Sequence, residues 1–404
     1  MTVFNEIQSR TWTPPIRSFQ VSGGRTLSTK VLADVVEALI GATFLDIDGD
    51  LEVARKCICH LLPAVPLTDP PIPSRPPIPA SLAASIIEAE RLIGRTFNQK
   101  TLLLEALTLS SGSSQFHVES YQRLELLGDA VLDLIVMTRL LRDQQSTNTL
   151  TQGKSTRLRA ALVKTHLLGY FNLHFRLSCQ SPTVYTNLET GDFHITTMES
   201  HVSLWHFLRH DSTDLTTAQQ ECVQRYQNLS ASLQDALEYS DSYPWETLLA
   251  LHAAKFHSDM IKSVIGAILV DSGGQLQPCE EFLTRIGLIE YLERLVGENV
   301  DVVHPRDRLQ QLSGSREVSY NVKSEGFKRF GGELMVDGVV RARADECSSK
   351  ALVTAKLARM GITGFSTSLD ASEDEQVLTQ NDNGNKSTGT IKHFSVAGRT
   401  ELTK

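Results

Sequence analysis

From residue 81 to about residue 177 apolar positions recur every three or four residues. That period predicts consecutive helices in SLAASIIEAERLIG, TLLLEALTL, YQRLELLGDAVLDLIV and STRLRAALVKTHLLGYF. The pattern then weakens. Residues 178 to about 243 are mixed and polar, with turns such as Ser181-Pro182 and Gly191-Asp192, and read as a partly ordered surface insertion. Strong helical periodicity resumes in PWETLLALHAAKFHSDMIKSVIGAILV. Between residues 304 and 362 the period changes. PRDRLQQL predicts a short helix, SYNVKSE, GELMVDG and VVRARAD alternate as strands do, and SSKALVTAKLARMG predicts a closing helix. From about residue 367 the chain is polar and rich in Asn, Ser, Thr and Asp, a composition that predicts disorder.

A repeat organises these elements. KVLADVVEALIGATFLDIDGDL (30–51) and KFHSDMIKSVIGAILVDSGGQL (255–276) align without a gap at an offset of 225 residues, with eight of 22 positions identical. Each copy reads as a helix with one apolar face, a Gly-Ala pair for close packing, and an Asp/Gly turn. The chain therefore holds parts of two related domains. LTDPPIPSRPPIPA (67–80), with six prolines in 14 residues, reads as an extended, semi-rigid linker between them. The boundaries expected are a remnant of a first domain at 1–66, the linker at 67–80, and a second domain at 81–300 interrupted at about 178–243. A small α+β module at 301–366 and a disordered tail at 367–404 follow. The fold class is mainly α.

The stretch YQRLELLGDAVLDLIV poses the chemical question. Glu125, Asp129 and Asp133 fall at i, i+4 and i+8, one acidic stripe on a helix that is otherwise almost wholly apolar. Such a helix is normally buried, and an unpaired buried carboxylate costs several kcal/mol. Two carboxylates a turn apart can hold one hard cation if a second helix brings further oxygen ligands. The repeat offers Asp259, also set in an apolar helix, and in the first copy the equivalent Asp34 is followed at i+3 by Glu37. Paired carboxylates on two helices make a natural Mg²⁺ or Mn²⁺ site for phosphodiester hydrolysis. The plainer alternative is that these acids cap helices, pair with Arg123 or Lys255, or face solvent.

Composition narrows the class. The chain of 404 residues is 41% hydrophobic and 21% charged, as soluble globular proteins are, and has no apolar run of membrane-spanning length. Six cysteines in this length are not a disulfide framework and read as reduced thiols of a cytosolic or nuclear protein. Cys57, Cys59 and His60 lack a second ligand pair at zinc spacing and read as helix packing. The net charge of −8 opposes non-specific adhesion to nucleic acid but leaves room for a local basic groove.

RLELLGDAVLDL resembles the main motif of the ribonuclease III family, and the segment around Asp259 resembles that family's second acidic motif. RLIGRTFNQKTLLLEALTLSSG and STRLRAALVKTHLL look like the helices flanking the main motif, so four blocks occur in family order across residues 81–300. The first repeat copy looks like the end of another such domain. Tandem domains, an insertion in the second and a C-terminal double-stranded-RNA-binding-like module resemble the C-terminal half of a Dicer. The linker and the insertion look most like a fungal Dicer-like protein, second paralogue. The resemblance implies a helical endonuclease acting on double-stranded RNA with Mg²⁺ or Mn²⁺, leaving 5′-phosphates and short 3′ overhangs. It implies small interfering RNAs as products, a role in silencing and antiviral defence, and paired ribonuclease III domains, within one chain or as a homodimer. Carried across, Glu125, Asp129 and Asp259 are the catalytic metal ligands, Asp34 and Glu37 are a metal pair in the first-domain remnant, and Asp133 is a solvent or rim residue.

Three departures stand against this. The fourth carboxylate of the family, matched by Glu37 in the first copy, is Lys262 in the second, an exchange worth roughly 4 kcal/mol per unit-charge pair at 4 Å and an effective dielectric near 20. Gln122 stands where many members have an acid. No ELLGD-like helix precedes Asp34, so its partner carboxylates are expected upstream in a longer protein, or the chain is a shortened product. In residues 301–362 eleven Lys/Arg face eight Asp/Glu, and the lysine cluster expected at the start of the last helix is Ser348, Ser349, Lys350. Lys323, Lys328, Arg329 and Lys350 are the candidate RNA contacts, with packing against the nuclease domain the alternative. The rival reading of the chain is a catalytically impaired relative that binds structured RNA or a partner.

Overall fold

The computed structural model describes residues 19–21, 25–62, 78, 80–112, 118–142, 150–186, 193–326 and 329–364. The linker, except residues 78 and 80, the tail from 367 and Lys328 lie outside the described residues. Two compact units divide the chain, Met1–Pro76 and Pro77–Lys404.

The first unit pairs strands β1 (Phe19–Val21) and β2 (Arg25–Leu27) antiparallel and continues into helices α1 (Thr29–Asp46) and α2 (Leu51–Leu61). Ser28 caps α1 by accepting from the Val31 amide at 3.3 Å, and Asp50 caps α2 by accepting from Glu52 and Val53. The turn between them needs positive φ at Asp48 (52°) and Gly49 (87°), which the Asp/Gly signal supplies. Cys57 is buried with its thiol 3.4 Å from the Thr43 hydroxyl, so it packs the helix pair.

The second unit is mainly helical. Helices α3 (Ala80–Ile93), α4 (Lys100–Ala106), α5 (Gln122–Arg142), α6 (Gln152–Leu162) and α7 (Thr165–His174) follow the predicted order. The polar stretch after them is more ordered than its composition implies. Strands β3 (Arg176–Thr186) and β4 (Phe193–Ser203) form an antiparallel hairpin, and α8 (Thr213–Tyr239) runs 27 residues. Cys222, Tyr226, Leu233 and Leu237 of α8 lie buried in the main core, so this part is not a surface appendage. A stripe of one apolar residue per turn on a long polar helix escapes a reading by composition.

The predicted helix at 244–270 is broken in two, α9 (Trp245–Leu251) and α10 (Lys255–Asp271). His252 turns left-handed (φ 46°), and Arg225 of α8 donates to the carbonyls of Leu251 at 3.0 Å and His252 at 3.3 Å. A tertiary partner thus satisfies the carbonyls at the end of α9, and the chain is re-aimed into α10. Helix α10 is buried along almost its whole length and is the axis around which α4, α5 and α7 pack. Helices α11 (Gln277–Arg285) and α12 (Leu288–Gly297) close the domain.

Two buried carboxylates pin the loop after α3. Glu90 accepts from the Phe97 amide at 2.8 Å and the Lys100 ammonium at 3.0 Å, while Asp271 accepts from the amides of Gln99 (2.8 Å) and Asn98 (3.2 Å) and from Arg95. Asp271→Ala removes the acceptor of these donors and of the Asn98 side-chain amide, and is expected to cost about 3 kcal/mol, read as a lower denaturant midpoint. A midpoint equal to wild type would mean that the loop finds other acceptors.

The C-terminal module has the order α13 (Pro305–Ser313), β5 (Val318–Gly326), β6 (Arg329–Val336), β7 (Val339–Cys347) and α14 (350–364). Its sheet runs β5-β6-β7, both pairs antiparallel, with Asp337 and Gly338 at positive φ in the tight β6–β7 turn. Leu249 of α9 shares the module's core with Leu309, Leu334, Val336 and Leu357, and Arg359 meets Glu246 of α9 at 3.5 Å. The module is therefore packed on the helical domain through α9.

Candidate active site

Helices α5 and α10 cross at two glycines. A Cβ on Gly128 would stand 1.7 Å from the Lys262 carbonyl oxygen, and one on Gly266 would stand 2.2 Å from the Leu124 carbonyl oxygen. Both obstacles are backbone, so only glycine permits this approach. The crossing lays Leu124–Gly128 of one helix against Lys262–Gly266 of the other and brings the acidic stripe to the face of α10 that carries Asp259.

Helix α5 is not buried all round. Leu124, Gly128, Val131, Leu132, Ile135, Val136 and Leu140 face the core, but Leu126 is 76% exposed and the carboxylates sit on the open side. The side chain of Glu125 is 22% exposed and that of Asp129 50%, so neither carries the full burial cost. Asp259, at 3%, is the deeply buried acid.

Its partners explain how it is tolerated. The Lys255 ammonium donates to Asp259 Oδ2 at 2.7 Å and to Glu125 Oε1 at 3.0 Å, and Tyr121 donates its hydroxyl to the same Oδ2 at 3.1 Å. Ser258 reaches Asp259 Oδ1 at 3.3 Å. Glu125 and Asp259, from different helices, thus face one cationic nitrogen. Their hydrogen bonds hold the Lys255 pKa above its ordinary value, the bond to Asp259 first; burial first and then the Asp259 charge push the Tyr121 phenol up.

Asp129 is engaged differently. Lys262 Nζ lies 2.7 Å from Asp129 Oδ1, and the Lys262 side chain is only 14% exposed. Among the described residues no group of three or more His, Cys, Asp or Glu is close enough to hold a metal ion as they stand. Asp133 is half-buried at the rim of the stripe, where it takes a two-pronged ion pair from Arg159 of α6, at 2.9 and 2.8 Å. Arg123 turns to the buried Glu105 and to Glu119 instead of the stripe, while Lys255 does pair with it. Gln122 is exposed.

Tyr121 is a site residue that reasoning from charge missed. Its signal was present, since it stands one turn before Glu125 on the same stripe. In the first unit Asp34 and Glu37 lie exposed on one face of α1. In the module Lys323, Arg329 and Lys350 are exposed, with Arg329 3.8 Å from Glu346.

Two helices that cross at glycines and bring the carboxylates of Glu125 and Asp259 to one ammonium are the framework of the site. Residues 122–273 match the Ribonuclease III domain family, and that segment is a ribonuclease III domain. Over a wider span the chain is similar to fungal Dicer-like proteins. It is 41% identical over 312 residues to Dicer-like protein 2-1 of Aspergillus niger, which covers 75% of this chain and 22% of that protein. It is 39% identical over 335 residues to Dicer-like protein 2 of Aspergillus terreus, covering 81% and 23%. The chain thus spans less than a quarter of the length of these curated relatives. The solved structure of Dicer from Pichia stipitis is 17% identical, covering 72% of this chain and 98% of that one, at a TM-score of 0.27. No described helix is long and apolar enough to cross a membrane.

Proposed function

We propose that this chain is the nuclease part of a Dicer-like enzyme, a divalent-metal-dependent endoribonuclease that cuts double-stranded RNA into small interfering RNAs for silencing and antiviral defence. The observation that carries the reading is the single point of positive charge shared by Glu125 and Asp259, occupied by the Lys255 ammonium at 3.0 and 2.7 Å. Carboxylate oxygens are the donors that a hard cation takes, and an ammonium already stands in for one, so the residues fit Mg²⁺ or Mn²⁺. Glu125, Asp129 and Asp259 would hold it. When bound, the ion would supply Lewis-acid polarisation of the phosphate and an activated water. Tyr121 and Ser258 keep the Asp259 carboxylate oriented, and the glycine crossing fixes the two helices that present the ligands.

The repeat supports the further expectation that two ribonuclease III domains pair, within one chain or between two copies, each cutting one strand to leave 5′-phosphates and short 3′ overhangs. The module would add phosphate contacts through Lys323, Arg329 and Lys350, with Lys328 a fourth candidate. Incubating the purified chain with long double-stranded RNA is expected to give fragments with Mg²⁺ and none with EDTA. Intact RNA across a series of Mg²⁺ and Mn²⁺ concentrations would overturn the reading.

The Lys262–Asp129 pair favours a second reading, a ribonuclease III-like protein that binds structured RNA and does not cut it. Lys262→Glu separates the two. A large gain in cleavage marks the native site as crippled, and unchanged cleavage shows that three carboxylates suffice.

A further inference from the structure

The two lysines of the site are held in opposite ways. Lys255 is 71% exposed, and only its end is engaged, by Asp259 and Glu125. Lys262 is 14% exposed, its carbonyl lies against Gly128 at the helix crossing, and its ammonium closes on Asp129 at 2.7 Å. One can swing into solvent at little cost, and the other cannot leave without dragging a buried stem with it. The repeat shows what the second position otherwise holds, since the residue of α1 at the register of Lys262 is Glu37.

We infer that Lys262 is a permanent internal cation, so that this site takes a single divalent ion, seated by displacing the Lys255 ammonium. The inference rests on the reading of Glu125, Asp129 and Asp259 as metal-holding residues. Charge sets the count. With Lys255 swung out, three carboxylates face one ammonium, a balance that one divalent cation neutralises. With Glu at 262, four carboxylates would face none, and a lone divalent ion would leave the cluster strongly anionic in a partly desolvated place. Lys262 thus removes the need for a second ion and the room for it, and Lys255 guards the remaining position against an empty, unbalanced state.

The test is Mn²⁺ binding by the full chain, counted by electron paramagnetic resonance against the Asp259→Asn chain, which subtracts ions bound at Asp34, Glu37 or elsewhere. Wild type is expected to hold one ion more than Asp259→Asn. Lys262→Glu is expected to hold two more, and Lys255→Ala one, bound severalfold tighter. Lys262→Met keeps the stem without the charge, and its one ion is expected to bind tighter than in wild type. A wild-type excess of two overturns the inference and leaves the metal-holding reading intact. An excess of none defeats that reading itself. A folded Lys262→Glu chain that stays at one, or a Lys262→Met chain with unchanged affinity, shows that Lys262 does not act as the internal cation.

Discussion

Asp259→Asn is expected to lower the single-turnover rate of double-stranded RNA cleavage by at least ~1,000-fold while the fold persists. The carboxylate is nearly inaccessible, and its Oδ2 receives both the Tyr121 hydroxyl and the Lys255 ammonium. An asparagine keeps one oxygen for those two donors and turns its amide towards Ser258, whose hydroxyl can accept, so the hydrogen bonds can be rebuilt. The negative charge cannot. A hard cation then keeps only the Glu125 and Asp129 carboxylates, and Lys255 keeps an oxygen acceptor at position 259 but loses the ion pair there. Glu125→Gln should act in the same direction, because its oxygen shares the same nitrogen at 3.0 Å. Cleavage by Asp259→Asn at the wild-type rate would take the chemistry away from this crossing.

A large effect on stability is expected at Gly266, one of the two glycines of the crossing. Valine there would bring its Cβ to 2.2 Å from the Leu124 carbonyl oxygen and add two methyls between backbones already in contact. The obstacle is neither a flexible side chain nor a cavity wall, so the helices must separate. Separation opens the core that α10 forms with Leu124, Val131 and Leu132 of α5. A loss of ~4 kcal/mol or more follows, read as a lower denaturant midpoint or as insoluble protein. Gly41 stands at the same register in α1, and a Cβ there would meet nothing within 4 Å. Gly41→Ala in the same assay is therefore the control, expected to be neutral or slightly stabilising. Equal behaviour of the two variants would show that the crossing is looser than described.

Much of this was legible in residue order. The i, i+4 spacing placed Glu125 and Asp129 on one line, and the repeat singled out Asp259 and the Gly-Ala step that proves to be the crossing. The strand alternation and the Asp337-Gly338 turn gave the module its sheet. What escaped depends on partners distant in sequence. The break at His252 carries no glycine or proline, and its cause is Arg225 from another helix. The burial of α8 hangs on a stripe as thin as Cys222, Tyr226, Leu233 and Leu237. Leu249 reads as one more core leucine of the nuclease domain, yet it packs into the module. At the site, charge alone marked Lys262 as a departure, but only the crossing shows that its stem is buried and its ammonium committed to Asp129.

The claim beneath all of this is that α5 and α10 present their carboxylates to one ion, and Fe²⁺ can be made to report on it. Loaded in place of Mg²⁺ and treated with ascorbate and peroxide, Fe²⁺ breaks the polypeptide close to where it is bound. Breaks near both Glu125 and Asp259, lost together in Asp259→Asn, are the expected pattern; breaks near one of them alone, or at neither, would contradict it.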